Sequence, residues 1–179
     1  GSHYTALRLL EGYLPAEKIK MLHFGSPENR LEALLSGEVA AAMLMEPYIS
    51  LAEKNGCRSV CEGHYLGAEN ASDNMDEVTF TAINRAVIKA VDLINSDKKR
   101  FIHYLLDDPK FAPVLKKWGP LTANDFVLSR LRYTHPTPYT DEQIEDTYNW
   151  MVRWGLLNTS VCAADFVDNR DAEPVAADD

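Results

Sequence analysis

Apolar positions along the chain fall into two regimes. In the first third, short apolar runs alternate with amphipathic stretches; beyond about residue 73 the helical period dominates. Ile19 to Phe24 alternates apolar and polar in part, as a short strand does. Ser26, Pro27 and Glu28 follow as N-cap, first helical residue and first-turn acid. Leu31, Leu34 and Leu35 then line one helix face, and Gly37 closes it. Val39 to Met45 is a continuous small, apolar run, the pattern of a parallel strand covered on both faces. Glu46-Pro47-Tyr48 opens another helix that Asn55-Gly56 ends, and Arg58 to Cys61 reads as a further strand. The expectation is therefore a parallel crossover, right-handed as such units are. Ligands of open α/β sheets lie beyond the carboxyl ends of the strands, which directs attention to Gly25, Ser26, Glu46 and Tyr48.

At the amino end, His3 to Tyr13 has a helical pattern with Ser2 as N-cap and Gly12 and Pro15 bracketing its end. A helix start of Gly-Ser-His-Tyr presents N–H groups, a hydroxyl and an imidazole to an anion. The alternative is plain capping, or residues left from a purification tag. Glu62 to Gly67 reads as a loop, either a hinge between lobes or an ordinary surface connection.

From Asp73 the period runs from Met75 to Asn95, with Val78, Ala82, Ile83, Ala86, Val87, Ala90, Val91 and Ile94 on one face. Ser96 is expected to cap a second helix to Leu106, stopped by Asp108-Pro109. Pro113 to Pro120 reads as a loop. Thr122 with Asp125 and Thr140 with Gln143 have capping-box spacing, opening helices to about Leu131 and to Trp154. These helices have apolar faces wider than the local strands can cover, so a sheet from residues outside the chain is the natural candidate.

Charge and composition narrow the function. The 179 residues carry a formal net charge of −9, which argues against nucleic acid or an anionic membrane as the general partner. Part of that acidity lies between Asp165 and Asp179, a stretch that reads as a solvated tail. No run approaches the ~20 apolar residues of a membrane span. Cys57, Cys61 and Cys162 are odd in number. In one strand, Cys57 and Cys61 stand about 13 Å apart, too far for a bridge. With His64 they lack the close spacing of a metal site, so inert thiols are expected. No metal and no cofactor is implied.

The order of these motifs resembles a family. Ser2-His3-Tyr4, Arg30, Ala33-Leu34, Gly37-Glu38-Val39-Ala40-Ala41, Glu46-Pro47-Tyr48 and Leu51-Ala52-Glu53 with Gly56 are similar to the second lobe of periplasmic substrate-binding proteins. The type is that for nitrate, sulfonate, taurine and thiamine-pyrimidine precursors. Ile83-Asn84-Arg85-Ala86, Ala90, Ile94-Asn95, Pro138-Tyr139, Trp150-Met151 and Gly155-Leu156-Leu157 resemble that family's returning C-terminal helices.

The resemblance implies an α/β, type II periplasmic-binding-protein-like fold. Residues 1–66 would form a parallel-rich α/β second lobe, incomplete at its start. Residues 67–168 would form the mostly helical C-terminal part of the first lobe, and 169–179 an acidic flexible tail. Against the family's pattern the chain lacks the N-terminal half of the first lobe and the opening strand of the second. A fragment, or a domain-swapped or other homodimer, would account for that, and the residues alone are expected to bind weakly or not at all. The implied function is the solute-binding component of an ABC-type importer, periplasmic or otherwise extracytoplasmic, delivering a small anionic or heterocyclic molecule to a permease by lobe closure without chemistry. Ser2, His3, Tyr4, Ser26, Glu46 and Tyr48 would face the interlobe cleft. A carboxylate at Glu46 repels a sulfonate or nitrate but pairs with an amine or ring N–H. The alternatives are an enzyme on the same scaffold, for pyrimidine-precursor synthesis or carbon–sulfur cleavage, with His3, Cys57, Cys61 and His64 as candidate groups, and a cytoplasmic ligand-sensing domain.

Overall fold

The computed structural model describes residues 1–65, 67, 72 and 74–158. Cys162 and the acidic stretch from Asp165 lie outside the described residues. Eight α-helices carry the described chain: α1 Ser2–Leu10, α2 Pro27–Leu35, α3 Tyr48–Lys54, α4 Glu77–Ser96, α5 Lys98–Phe101, α6 His103–Leu106, α7 Ala112–Trp118 and α8 Asp141–Arg153. Short 3₁₀ turns join some of them, at Ala16–Lys18, Pro109–Phe111, Ala123–Asp125 and Leu128–Arg130.

No strand forms among the described residues. This corrects the expected α/β, type II periplasmic-binding-protein-like fold and its parallel-rich lobe. The three stretches read as strands, Ile19–Phe24, Val39–Met45 and Arg58–Cys61, carry no regular structure. A strand exists only through hydrogen bonds to a neighbouring strand, and these segments do not supply them to one another. The Val39 N–H instead bonds back to the Ala33 carbonyl at 3.3 Å, as part of the turn that closes α2.

The chain divides into two compact units. One comprises Gly1–Ala71 and Ser96–Arg132; the other comprises Ser72–Asn95 and Tyr133–Asp179. In the first unit, Leu31 of α2, Tyr48, Leu51 and Ala52 of α3, Ile102, Phe111, Val114, Leu121 and Phe126 form one buried cluster. α2 and α3 pack together directly. The local signals explain why these helices stand where they do. The Ser26 hydroxyl accepts from Asn29 N–H at 3.1 Å, and Pro27 occupies the first turn, where its missing N–H costs nothing. Asp108 accepts from the Lys110 N–H and starts the Pro109–Phe111 turn that leads into α7. That helix replaces the loop expected over Pro113 to Pro120, because Pro113 falls in its first turn rather than its interior. The Thr122–Asp125 capping box forms, yet the turn it opens stops at Asp125. One further 3₁₀ turn, Leu128–Arg130, follows where a helix to Leu131 was expected.

In the second unit, α4 matches the long apolar period almost residue for residue. Of that face, Val91 is buried, whereas Val78 is 79% and Ile83 43% exposed. The Asn95 side chain donates to the Tyr133 carbonyl at 2.9 Å, and His135 Nε2 lies 2.7 Å from Asp92 Oδ1, fastening the extended 133–139 segment beside α4. Thr140 and Gln143 form the complete capping box of α8, whose Trp150 is fully buried with its ring 5.5 Å from that of Trp154.

Candidate functional site

Two polar corners stand out in the first unit. One gathers at the start of α1. Gly1 is its N-cap and Ser2 its first residue, one step earlier than the sequence suggests. Arg30 projects from α2, and its Nη1 donates to Ser2 Oγ at 2.6 Å. Among the described residues the Arg30 side chain makes that single hydrogen bond and no ion pair, and its Nε is buried without a partner. A half-buried guanidinium with only a hydroxyl for company is electrostatically incomplete, because a cation withdrawn from water needs a counter-charge or further acceptors. The Tyr65 hydroxyl borders the same corner: a methyl group added at Gly1 would lie 3.7 Å from it. Loop 62–65 is held on α1 there, since a methyl at Gly63 would meet Leu9 at 2.7 Å.

Tyr48, the first residue of α3, adjoins this corner. Its ring is buried edge-on against Phe111, with centroids 5.9 Å apart. Burial pushes its phenol above the ordinary value of 10.0, and Glu28 adds to the shift. Arg30 and Lys110 act in the opposite direction, so two cations lie within electrostatic reach of the hydroxyl.

The second corner surrounds Glu46 and Arg130. Glu46 precedes α3 through a cis peptide to Pro47. Its Oε2 accepts from Ser50 N–H at 3.1 Å and from Ser50 Oγ at 2.8 Å, so the carboxyl holds one backbone N–H in the first turn of α3. Its Oε1 is buried with no partner. Burial raises its pKa above 4.5, while the two Ser50 bonds and the Arg130 charge pull it down and Glu53 pushes it up. Arg130 is itself paired with two carboxylates. Its two terminal nitrogens each reach a Glu53 oxygen at 2.8 Å and its Nε reaches Glu62 at 2.8 Å. That fork holds the Glu53 carboxyl below its usual range and the guanidinium firmly charged.

The expected site residues therefore separate. Ser2 joins Arg30 at one corner, with Tyr48 beside it. Glu46 serves the start of α3 and lies near Arg130. Ser26 is spent on capping α2, His3 is exposed, and Tyr4 is half-buried in α1. Arg30 is the residue that site reasoning from the sequence passed over. It was visible only as part of a motif, because its partner lies 28 residues away. Among the described residues no cluster of three or more metal-ligating side chains occurs, and Cys57 and Cys61 are free thiols.

The Glu46 environment has a pH consequence. A carboxyl whose folded pKa is raised holds its proton more tightly in the folded chain than in the unfolded one. Its stabilising share is complete below 4.5 and is lost as pH rises through the raised value. Glu46→Gln, which keeps an acceptor for Ser50, is expected to flatten the fall in melting temperature between pH 4.5 and neutrality. An unchanged slope would show that burial of Glu46 does not govern it.

No helix of the described residues is long and apolar enough to cross a membrane. Comparison with protein-family models, with curated proteins and with solved structures finds no match for this chain.

Proposed function

We propose that this chain captures a small solute bearing an anionic group at the corner formed by Ser2, Arg30 and Tyr48, as the solute-binding component of an ABC-type importer acting outside the cytoplasm. The observation that carries the binding reading is Arg30: half-buried, hydrogen-bonded to one neutral hydroxyl, with a buried Nε–H still to satisfy. Guanidinium binds carboxylate, sulfonate or phosphate oxygens in a planar, two-pronged fashion. The N-terminal turn of α1 adds peptide N–H groups of favourable polarity. A heterocycle with an acidic group fits equally well, with the Tyr48 hydroxyl beside it. The importer role and its permease partner rest on the order of motifs from Ser2-His3-Tyr4 to Gly155-Leu156-Leu157.

The test is a titration of the chain with nitrate, taurine, methanesulfonate and an aminomethylpyrimidine at millimolar concentrations, followed by thermal shift and by product analysis. At least one is expected to bind without being consumed. Arg30→Gln should weaken that binding at least about tenfold, since a hydrogen bond to a charged group contributes roughly 1.5–3 kcal/mol, and leave the melting temperature of the free chain close to wild type. Binding untouched by Arg30→Gln, turnover of the compound, or no binding by any of the four would each overturn the proposal.

A further inference from the structure

A separate surface of the first unit carries charge opposite to the rest of the chain. Residues 96–132 contain eight Lys and Arg against four Asp, a local +4, whereas the whole chain is −9. The densest part is Lys98, Lys99 and Arg100 in α5. Among the described residues none of the three is in an ion pair, whereas Lys110, Lys117 and Arg130 of the same stretch each are.

Directly after them stand three rings. Phe101 and Tyr104 are parallel, 7° apart with centroids at 6.3 Å, and His103 lies 4.2 Å from Tyr104. The Arg100 guanidinium sits 5.6 Å over the Phe101 ring. His103 is fixed by its Nδ1, 2.7 Å from the Arg100 carbonyl. Tyr104 is 68% exposed, yet the platform is rigid beneath, because Ile102 between the rings is fully buried in the core cluster. Exposed stacked aromatics beside unpaired cations have the composition of binding hot spots, where Tyr and Arg are enriched.

We propose that Lys98, Lys99 and Arg100, together with the rings of Phe101, His103 and Tyr104, form a docking face for an acidic segment of a partner protein. Charge complementarity selects the occupant. Seven residues of helix span about 10 Å, which matches about three residues of an extended peptide. The net charge of −9 over the whole chain sets a long polyanion or an anionic membrane against it at long range. A short acidic segment stays within the basic field.

The proposal is tested with the full chain and a fluorescein-labelled peptide of three Glu-Glu-Tyr repeats, read by fluorescence anisotropy at low and physiological salt. The double reversal Lys99→Glu/Arg100→Glu, at two exposed positions, should weaken binding at least tenfold. Tyr104→Ala should weaken it several-fold while leaving the salt dependence unchanged, which separates the rings from the charges. Circular dichroism of both variants should match the wild type. Affinity unaffected by the double reversal, or by Tyr104→Ala, would overturn the proposal. So would tighter binding of an oligouridylate or of phosphatidylserine vesicles than of the peptide.

Discussion

Replacing Arg130 with Met is expected to destabilise the first unit by about 2–4 kcal/mol. The side chain is only 12% exposed and is committed to three bonds of 2.8 Å, two to Glu53 and one to Glu62. Breaking a well-shielded ion pair by removing one partner costs roughly 3–5 kcal/mol, because the other charge stays behind unpaired. Glu53 is 29% and Glu62 48% exposed, so water recovers part of that cost. The variant also removes the tie between the Leu128–Arg130 turn, α3 and the 59–62 segment. Its effect should depend on pH. Glu53 has a depressed folded pKa, so its stabilising share is present above 4.5 and is lost as pH falls through the depressed value. Urea melts of wild type and Arg130→Met should therefore differ most near neutrality and converge in acid. Equal stabilities at neutral pH would show that the fork contributes nothing net.

Leu51→Ala is expected to cost about 3 kcal/mol, within the 2–5 kcal/mol seen when a large aliphatic core residue is cut to Ala. Leu51 is fully buried in α3, among Leu31, Ile102, Phe111 and Val114 of the core cluster. Those neighbours come from three separate parts of the chain, so the cavity has little freedom to close. Chemical denaturation followed by far-ultraviolet circular dichroism measures the loss. A change under 1 kcal/mol, below the whole of that range, would mean that the α2–α3 layer is not the core of its unit. The residue also bears on the candidate site, since α2 and α3 carry Arg30 and Tyr48.

What could be seen in the sequence was what is local. The Ser26 cap, the Thr140–Gln143 box and the long apolar period of α4 act over three or four residues and were legible directly. The strands were not. A short apolar run such as Val39 to Met45 has no period of its own, so its residues cannot distinguish strand from irregular chain. The outcome depends on a hydrogen-bonding neighbour, and the described chain supplies none. Pro113 misled in the other direction, since a proline in a first helical turn resembles one in a loop. The candidate site was half legible: Ser2 and Tyr48 were anticipated at helix starts. Arg30 acquires meaning only through Ser2 across 28 residues, and Arg130 through Glu53 across 77. Glu46-Pro47-Tyr48 admitted both a ligand contact and helix-start chemistry, and the Ser50 bonds assign Glu46 to the latter.

Everything functional hinges on whether the lone guanidinium of α2 receives an anion. Its Nε–H resonance in a ¹⁵N-labelled chain, titrated with taurine and then methanesulfonate, reports this without reference to the rest of the molecule. A saturable shift of the Arg30 signal with slowed exchange of its buried proton is the predicted result. An Arg30 signal that stays in place while the anion binds elsewhere, or does not bind, would contradict the account.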